Sequence, residues 1–372
     1  MRVVVAQETA DGERRVAVVP ETVATLTAAG HEVWVQAGAG LHAFITDDDL
    51  AGRGAQIVRD RAQMLQTADV VLAVQPLPVG DISHLRANAV ALSFLQPWAH
   101  GQAVRALAAR SVTSFSLDLV PRISRAQSMD ALSSQALIAG YRAAMLAAAN
   151  APRLFPLFMT AAGTVPPAKV LVLGAGVAGL QAIATARRLG AVVTAYDVRA
   201  AAGEEVRSLG ATFLDLELDT QEGEGGYARV QSEAFLARQR DLIAEQVERA
   251  DVVITTAAVP GRPAPLLVTA EMVAAMRSGS IIVDLGADVE AAEGGGNCEL
   301  TRGGETIEIN GVTILGPRNA ASAYPLHASG LYARNVANLL ALLVRDGSFD
   351  PDWDDEIVTA CCVTRSGEVT VQ

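Results

Sequence analysis

The chain has 372 residues, more than one ordinary core accommodates, so two domains are expected. Hydrophobic residues make up 51% and aromatics only 4%, which suits layers of helix on sheet better than an aromatic-rich β-sandwich. The formal net charge of -12, from 29 basic and 41 acidic residues, argues against a nucleic-acid footprint and is read as surface solubility.

Short apolar runs alternate with helical patterns along the N-terminal third of the chain. RVVVAQ (2–7) reads as a buried strand, and MRVVVAQET as a strand rather than a signal peptide. PETVATLTAAG (20–30) reads as a helix with Pro at its start and Gly at its stop. HEVWVQ (31–36), DVVLAV (69–74), AVALSF (89–94) and VTSFSL (112–117) read as further strands. Strands separated by helices indicate βαβ units and a parallel sheet. A long Ala-rich helix is expected over 128–150, and its apolar run is interrupted by Arg142. No run of about 18 uncharged apolar residues occurs, so the chain is not expected to span a membrane.

A second series starts at KVLVLGAG (169–176). Its strands are expected at 169–173, 191–197, 211–218, 251–257, 280–285 and 312–316. Such a series makes one complete dinucleotide-binding domain. A last helix is expected over 327–347, and this helix and the one over 128–150 are expected to connect the domains. The resulting division puts 1–138 with 323–372 in a first α/β domain, and 139–322 in a Rossmann domain. The expected fold is therefore α/β: two doubly wound parallel-sheet domains separated by a cleft and linked by long helices. The three cysteines (Cys298, Cys361, Cys362) form no CxxC pair, which fits a reducing compartment. None of the five histidines lies in a metal-ligand pattern, and no metal is expected.

GAGVAG (174–179) follows an apolar strand and opens a helix. Gly174 would allow the tight turn, Gly176 would let the backbone approach a pyrophosphate, and Gly179 would let helix and strand pack closely. The helix N-terminus offers free N–H groups and a partial positive charge to the phosphates. Asp197 ends the next strand, 18 residues past Gly179. A carboxylate there accepts from ribose hydroxyls and repels a 2′-phosphate, which favours NAD(H). Arg199, two residues on, is of the type that holds a 2′-phosphate instead.

PRISRAQSMDALSSQ (121–135) is crowded with polar residues. Ser124 with Gln127 could form a capping box. That leaves Arg122, Arg125, Asp130 and Ser133 without a role. A site for a charged, planar ligand uses such groups: Arg for phosphate, an amide for a carboxamide, and a carboxylate to fix an Arg.

With GERRVAVVPE (12–21), AGYRA (139–143), GGYA (225–228), ITTAAVPGRPAP (254–265) and GGNC (295–298) added, the chain resembles the NAD(H)-binding soluble component, domain I, of the proton-translocating nicotinamide nucleotide transhydrogenases. These stretches cover most of the chain. The resemblance implies that Arg122, Gln127, Asp130 and Ser133 orient the dihydronicotinamide, with Gln127 as partner of its carboxamide. Ile123, Ser124 and Arg125 belong to the same nicotinamide loop. Val177, Asp197, Val198, Arg199, Gly226, Gln239 and Ala258 fall where that family touches NAD(H), and Tyr227 stands at the tip of a mobile loop. The implied activity is hydride transfer from NADH to NADP+ held on a partner, coupled to proton translocation. The implied partners are a second copy, an NADP(H)-binding domain III and a membrane domain that holds the chain at the inner face of the cell membrane from the cytoplasm.

Two other readings compete. Alanine dehydrogenases share the superfamily, but they place a Lys and a His where this chain has Gln75 and Gln96. Neither glutamine carries a charge or titrates near neutrality, and oxidative deamination needs both functions. Arg15 and Asp288 match other polar positions of those enzymes. A non-catalytic NAD(H) sensor would keep GAGVAG and Asp197 but would have no need of RISRAQSMD.

Overall fold

The structure is a computed structural model that describes residues 1–215, 233–258, 261–287 and 295–371. The chain divides into two compact units, Met1–Gln135 with Ala321–Gln372, and Ala136–Ala320.

Among the described residues, the first unit holds an eight-stranded sheet. Its six parallel strands are Arg2–Val5, Glu32–Gln36, Gln56–Val58, Val70–Leu72, Val90–Ser93 and Thr113–Ser116. Numbered along the chain, they lie in the order 3-2-1-4-5-6. Cys362–Arg365 and Glu368–Val369 add antiparallel strands beyond Thr113–Ser116. The second unit repeats the arrangement. Lys169–Leu173, Val192–Tyr196, Thr212–Phe213, Val252–Thr255, Ile281–Asp284 and Val312–Leu315 again lie in the order 3-2-1-4-5-6, with Thr306–Ile309 antiparallel on the edge. Both units are thus doubly wound, and each has a switch point outside the carboxyl ends of its first and fourth strands.

Burial explains the continuous apolar runs. Val3 and Val5 enter one cluster with Val70 and Leu72, while Val4 joins Val71 and Ala73 on the opposite face. In the second unit Val170 and Val172 pack on one face, and Leu171 and Leu173 on the other. The central strands Val70–Leu72, Val90–Ser93, Val252–Thr255 and Ile281–Asp284 are covered on both faces and buried throughout, so no alternation appears in them.

Several elements differ from their expected bounds. The long helix begins at Ala131, not at 128, because Ser124–Met129 forms a separate 3-10 helix. The helix Pro325–Leu342 lies wholly inside the first unit and so does not connect the two. Of the strand expected at 211–218, the described portion is Thr212–Phe213. The strands Gln56–Val58 and Cys362–Arg365 and the hairpin Phe158–Thr160 with Gly163–Val165 were not expected, being short and weakly patterned.

Asp284 locks the second sheet to its following loop. It is fully buried and accepts from Thr255 Oγ1 (2.8 Å), Gly286 N (2.8 Å), Cys298 N (2.9 Å) and Thr301 Oγ1 (2.8 Å). Asp284→Ala leaves four donors without their acceptor, three of them buried. The expected cost is about 3 kcal/mol, or a fall in melting temperature of about 6–12 °C for a unit this size. A shift below about 2 °C in a thermal melt would show that Asp284 is not the lock.

Candidate functional site

The turn between Lys169–Leu173 and the helix Val177–Arg188 is built from backbone contacts that exclude side chains. Gly174 has φ +99°, a conformation that favours glycine. A Cβ on Gly179 would stand 1.9 Å from the Gly174 carbonyl oxygen. Thr256, just past the fourth strand, donates from Oγ1 to that same oxygen at 3.0 Å. Gly176 is different: a Cβ there would meet nothing within 4 Å. Its openness leaves room for a ligand group against the backbone. The helix begins at Gly176 with no side-chain cap, so its first-turn amides face no capping oxygen and are the natural donors to a phosphate. The turn therefore fits a dinucleotide pyrophosphate.

Asp197 is tied to this turn. Its Oδ2 accepts from Ala175 N at 2.7 Å, and Arg199 approaches both oxygens, Nε to Oδ1 at 2.9 Å and Nη2 to Oδ2 at 3.0 Å. Asp197 and Arg199, two residues apart in sequence, thus act as one ion pair. Val198 between them is half-buried, Val177 is exposed, and Ala258 is exposed beyond the strand Val252–Thr255. Gln239 is 7% exposed on the helix Glu233–Arg249, which leaves little of it to a ligand. Gly226 and Tyr227 lie outside the described residues, as does Asp288.

The segment 121–135 belongs to the first unit. The capping position of the 3-10 helix Ser124–Met129 is Ile123, not Ser124, so the capping box of Ser124 with Gln127 does not form. Asp130 does cap: its Oδ1 accepts from Ser133 N at 2.8 Å and its Oδ2 from Ser133 Oγ at 2.5 Å. Asp130 and Ser133 therefore have a structural role at the start of the long helix. Arg125 forks onto Asp355, Nη1 to Oδ2 at 2.6 Å and Nη2 to Oδ1 at 3.1 Å, and Asp355 in turn caps Glu356–Cys361. Asn335 and Asn338 both donate to the Ser128 carbonyl, at 2.9 and 3.0 Å. Ala126 and Met129 are buried beneath the segment, while Arg122, Ser124 and Gln127 are exposed and Ile123 is half-buried. The loop is thus pinned from below and presents Arg122 and Gln127 outward.

A second cluster sits at the switch point of the first unit. Glu8 accepts from Val74 N at 2.6 Å and Gln75 N at 3.2 Å. Glu13 accepts from Arg15 Nε at 2.8 Å, Arg15 Nη2 at 2.6 Å and Gln75 Nε2 at 2.8 Å. Arg15 also donates from Nη1 to Gln135 at 2.9 Å. A cavity of about 160 Å³ opens beside Gln7, Glu8, Arg61 and Gln75. Burial pushes the Glu8 carboxyl up to about 7, and the nearby Glu13 charge adds to this against the two backbone N–H donors. Burial works against the Glu13 charge too, but the Arg15 hydrogen bonds and charge outweigh it and hold that carboxyl down at about 2. Gln96 has φ +41°, and its N–H donates to Asp118 at 2.9 Å.

Thr256 and Asn297 were not singled out from the sequence. Asn297 is fully buried and donates from Nδ2 to the carbonyls of Ala257 and Pro265, both at 2.8 Å, so it clamps the loop after the fourth strand. The GGNC motif contained it, but its role depends on carbonyls about 30–40 residues away in sequence.

Comparison with known proteins places this geometry. The family model for the alanine dehydrogenase/PNT N-terminal domain matches residues 4–139, and that for the C-terminal domain matches 143–372. The chain is 45% identical to an NAD(P) transhydrogenase alpha subunit polypeptide of Rhodospirillum rubrum, over 99% of this chain and 97% of the relative. The crystal structure of transhydrogenase from Sinorhizobium meliloti superposes with a TM-score of 0.86 at 44% identity, covering 99% of this chain and 98% of that one. An alanine dehydrogenase of Mycobacterium tuberculosis is 34% identical over 77% of this chain and 73% of its own.

The Glu8 geometry sets a pH dependence. Folding raises its pKa from 4.5 to about 7, so between those values the folded chain holds a proton that the unfolded chain has lost. The associated stability is present below the unfolded value and is lost as pH rises through 7. Glu8→Gln mimics the protonated form. Its melting temperature should match wild type near pH 4, exceed it progressively up to about pH 7 and then level off, whereas a constant difference across that range would exclude the assignment.

Proposed function

The chain belongs to the alanine dehydrogenase/PNT family, and from that premise we propose that it is the NAD(H)-binding component of a proton-translocating nicotinamide nucleotide transhydrogenase. When bound, NADH would supply a hydride to NADP+ held on a partner domain. The chain's own role is to bind, orient and exclude water. Its helix N-terminus and the open backbone at Gly176 would take the pyrophosphate, and Asp197 the adenosine ribose. Arg122 and Gln127 would orient the nicotinamide end, with Asp130 and Ser133 holding the loop that carries them. No proton moves in a hydride step, so the site needs positioning rather than a general base.

One observation carries the choice over amino-acid dehydrogenation. Arg15, which matches a polar position of the alanine dehydrogenases, is already paired with Glu13, and Gln75 donates to the same carboxylate. Gln75 and Gln96 supply neither charge nor titration at positions where an amino-acid dehydrogenase needs them.

The partners follow from the same reading. Among the described residues no helix is long and apolar enough to cross a membrane, so proton translocation would belong to a membrane partner. That partner would hold the chain at the inner face of the membrane, while an NADP(H)-binding domain would accept the hydride. A second copy of the chain is supported by the hairpin Phe158–Thr160 with Gly163–Val165, where Leu157, Phe158, Met159 and Val165 are all exposed. A two-stranded hairpin of this kind is marginal without something packed on it.

Two outcomes are expected. Asp197 should make the chain bind NADH in preference to NADPH, and a titration giving equal affinity for both would refute the ribose assignment. Gln127→Asn keeps an amide but shortens its reach by about 1.5 Å. A misplacement near 1 Å costs about 100-fold in hydride transfer, while NADH binding, carried by the turn and Asp197, should change far less. The measurement is single-turnover transfer to NADP+ on the partner domain beside equilibrium NADH binding. Near-normal transfer would remove Gln127 from the site, and turnover of L-alanine with NAD+ by the chain alone would favour the dehydrogenase.

A further inference from the structure

Gly140 lies in the middle of the helix Ala131–Asn150, outside the nucleotide fingerprint. A Cβ on Gly140 would stand 2.0 Å from the Ala178 carbonyl oxygen, 2.7 Å from its carbon and 2.9 Å from the Ala178 Cα. All three atoms are backbone and cannot rotate away. Ala178 is the second residue of the helix whose first turn follows Gly176. The contact therefore joins two helix backbones at the point where the amides facing a pyrophosphate are displayed. On its other side the same turn is held by the Gly174 carbonyl, which Gly179 and Thr256 approach.

We propose that Gly140 is a positioning residue for the pyrophosphate turn, a fourth glycine that acts from a different helix. Its bare Cα lets the long helix seat against Ala178 and fixes where the first-turn N–H groups point. Any larger residue pushes Ala178 by about 1 Å, since real Cβ atoms do not approach within 3.0 Å of a neighbour. Charge-assisted hydrogen bonds to a phosphate depend on donor alignment, so such a shift weakens phosphate binding without touching the adenosine pocket. Helix propensity predicts the opposite. Alanine is favoured over glycine in a helix interior, so Gly140→Ala would be benign or stabilising if the contact did not matter.

The inference rests on the NAD(H) reading, and the experiment separates the two. Bind NADH, ADP and adenosine to wild type and to Gly140→Ala, with Gly330→Ala as control, because a Cβ there meets nothing within 4 Å. The expected result is a loss of at least tenfold for NADH and ADP in Gly140→Ala, with adenosine affinity changed less than twofold and Gly330→Ala like wild type. Unchanged NADH affinity in Gly140→Ala overturns the proposal, and so does an equal loss for adenosine and ADP. Failure of wild type to bind NADH overturns the underlying reading instead. Should Gly140→Ala not fold, hydrogen exchange on wild type decides. NADH should protect the amides of 139–142 together with those of 177–180, and adenosine should protect neither segment. Protection confined to 177–180 rejects the proposal.

Discussion

The nucleotide unit depends on a carbonyl oxygen approached more closely than any side chain permits. The Gly174 oxygen lies where a Cβ on Gly179 would be 1.9 Å away, so helix and strand meet backbone to backbone. That contact draws the helix N-terminus over the first strand. The Thr256 hydroxyl then reaches the same oxygen from the fourth strand, and Ala175 N reaches Asp197 at the end of the second. Three strands are thereby gathered at one turn, and Gly176 is left open within it. Open backbone at a switch point follows from packing that is too tight for side chains on either side of it.

The first unit uses the same strand order for a different purpose. Where the nucleotide unit presents glycines, this one presents Glu8, Glu13 and Arg15. Glu13 and Arg15 neutralise each other in a buried pair, and Gln75 completes the carboxylate's hydrogen bonds. A buried charge is tolerable only when paired and satisfied in this way. The same burial that Arg15 offsets at Glu13 is not offset at Glu8, so the two acids move in opposite directions from the same starting point. Two sheets of one topology thus carry unlike chemistry, because chemistry resides in the loops at the strand ends and not in the strand order.

The polar segment 121–135 mixes support with display. Asp130 and Ser133 cap a helix, Arg125 is anchored on Asp355, and the Ser128 carbonyl is clasped by two asparagines. Along the chain, all its polar groups look alike. In the structure most hold the loop in place, and the outward-facing Gln127 stands apart from them.

The doubly wound fold was legible in the sequence because each buried strand reads as an unbroken apolar run bounded by glycine or polar residues, as in KVLVLGAG. The strand-turn-helix setting of GAGVAG was legible for the same reason, since the requirements at Gly174 and Gly179 are local. Elements below the reach of periodicity were not: Gln56–Val58 is three residues long, and Cys362–Arg365 is recruited by pairing with Thr113–Ser116, about 250 residues earlier. The sequence by itself determined the two strand series, the fingerprint and the family, because these rest on local pattern and contiguous motifs. Only the tertiary structure decided that Arg125 is spent on Asp355, that Gln75 completes the hydrogen bonds of Glu13, that Asn335 clasps the Ser128 carbonyl, and that Gly140 meets Ala178. Each of these joins groups far apart along the chain, which no local pattern encodes.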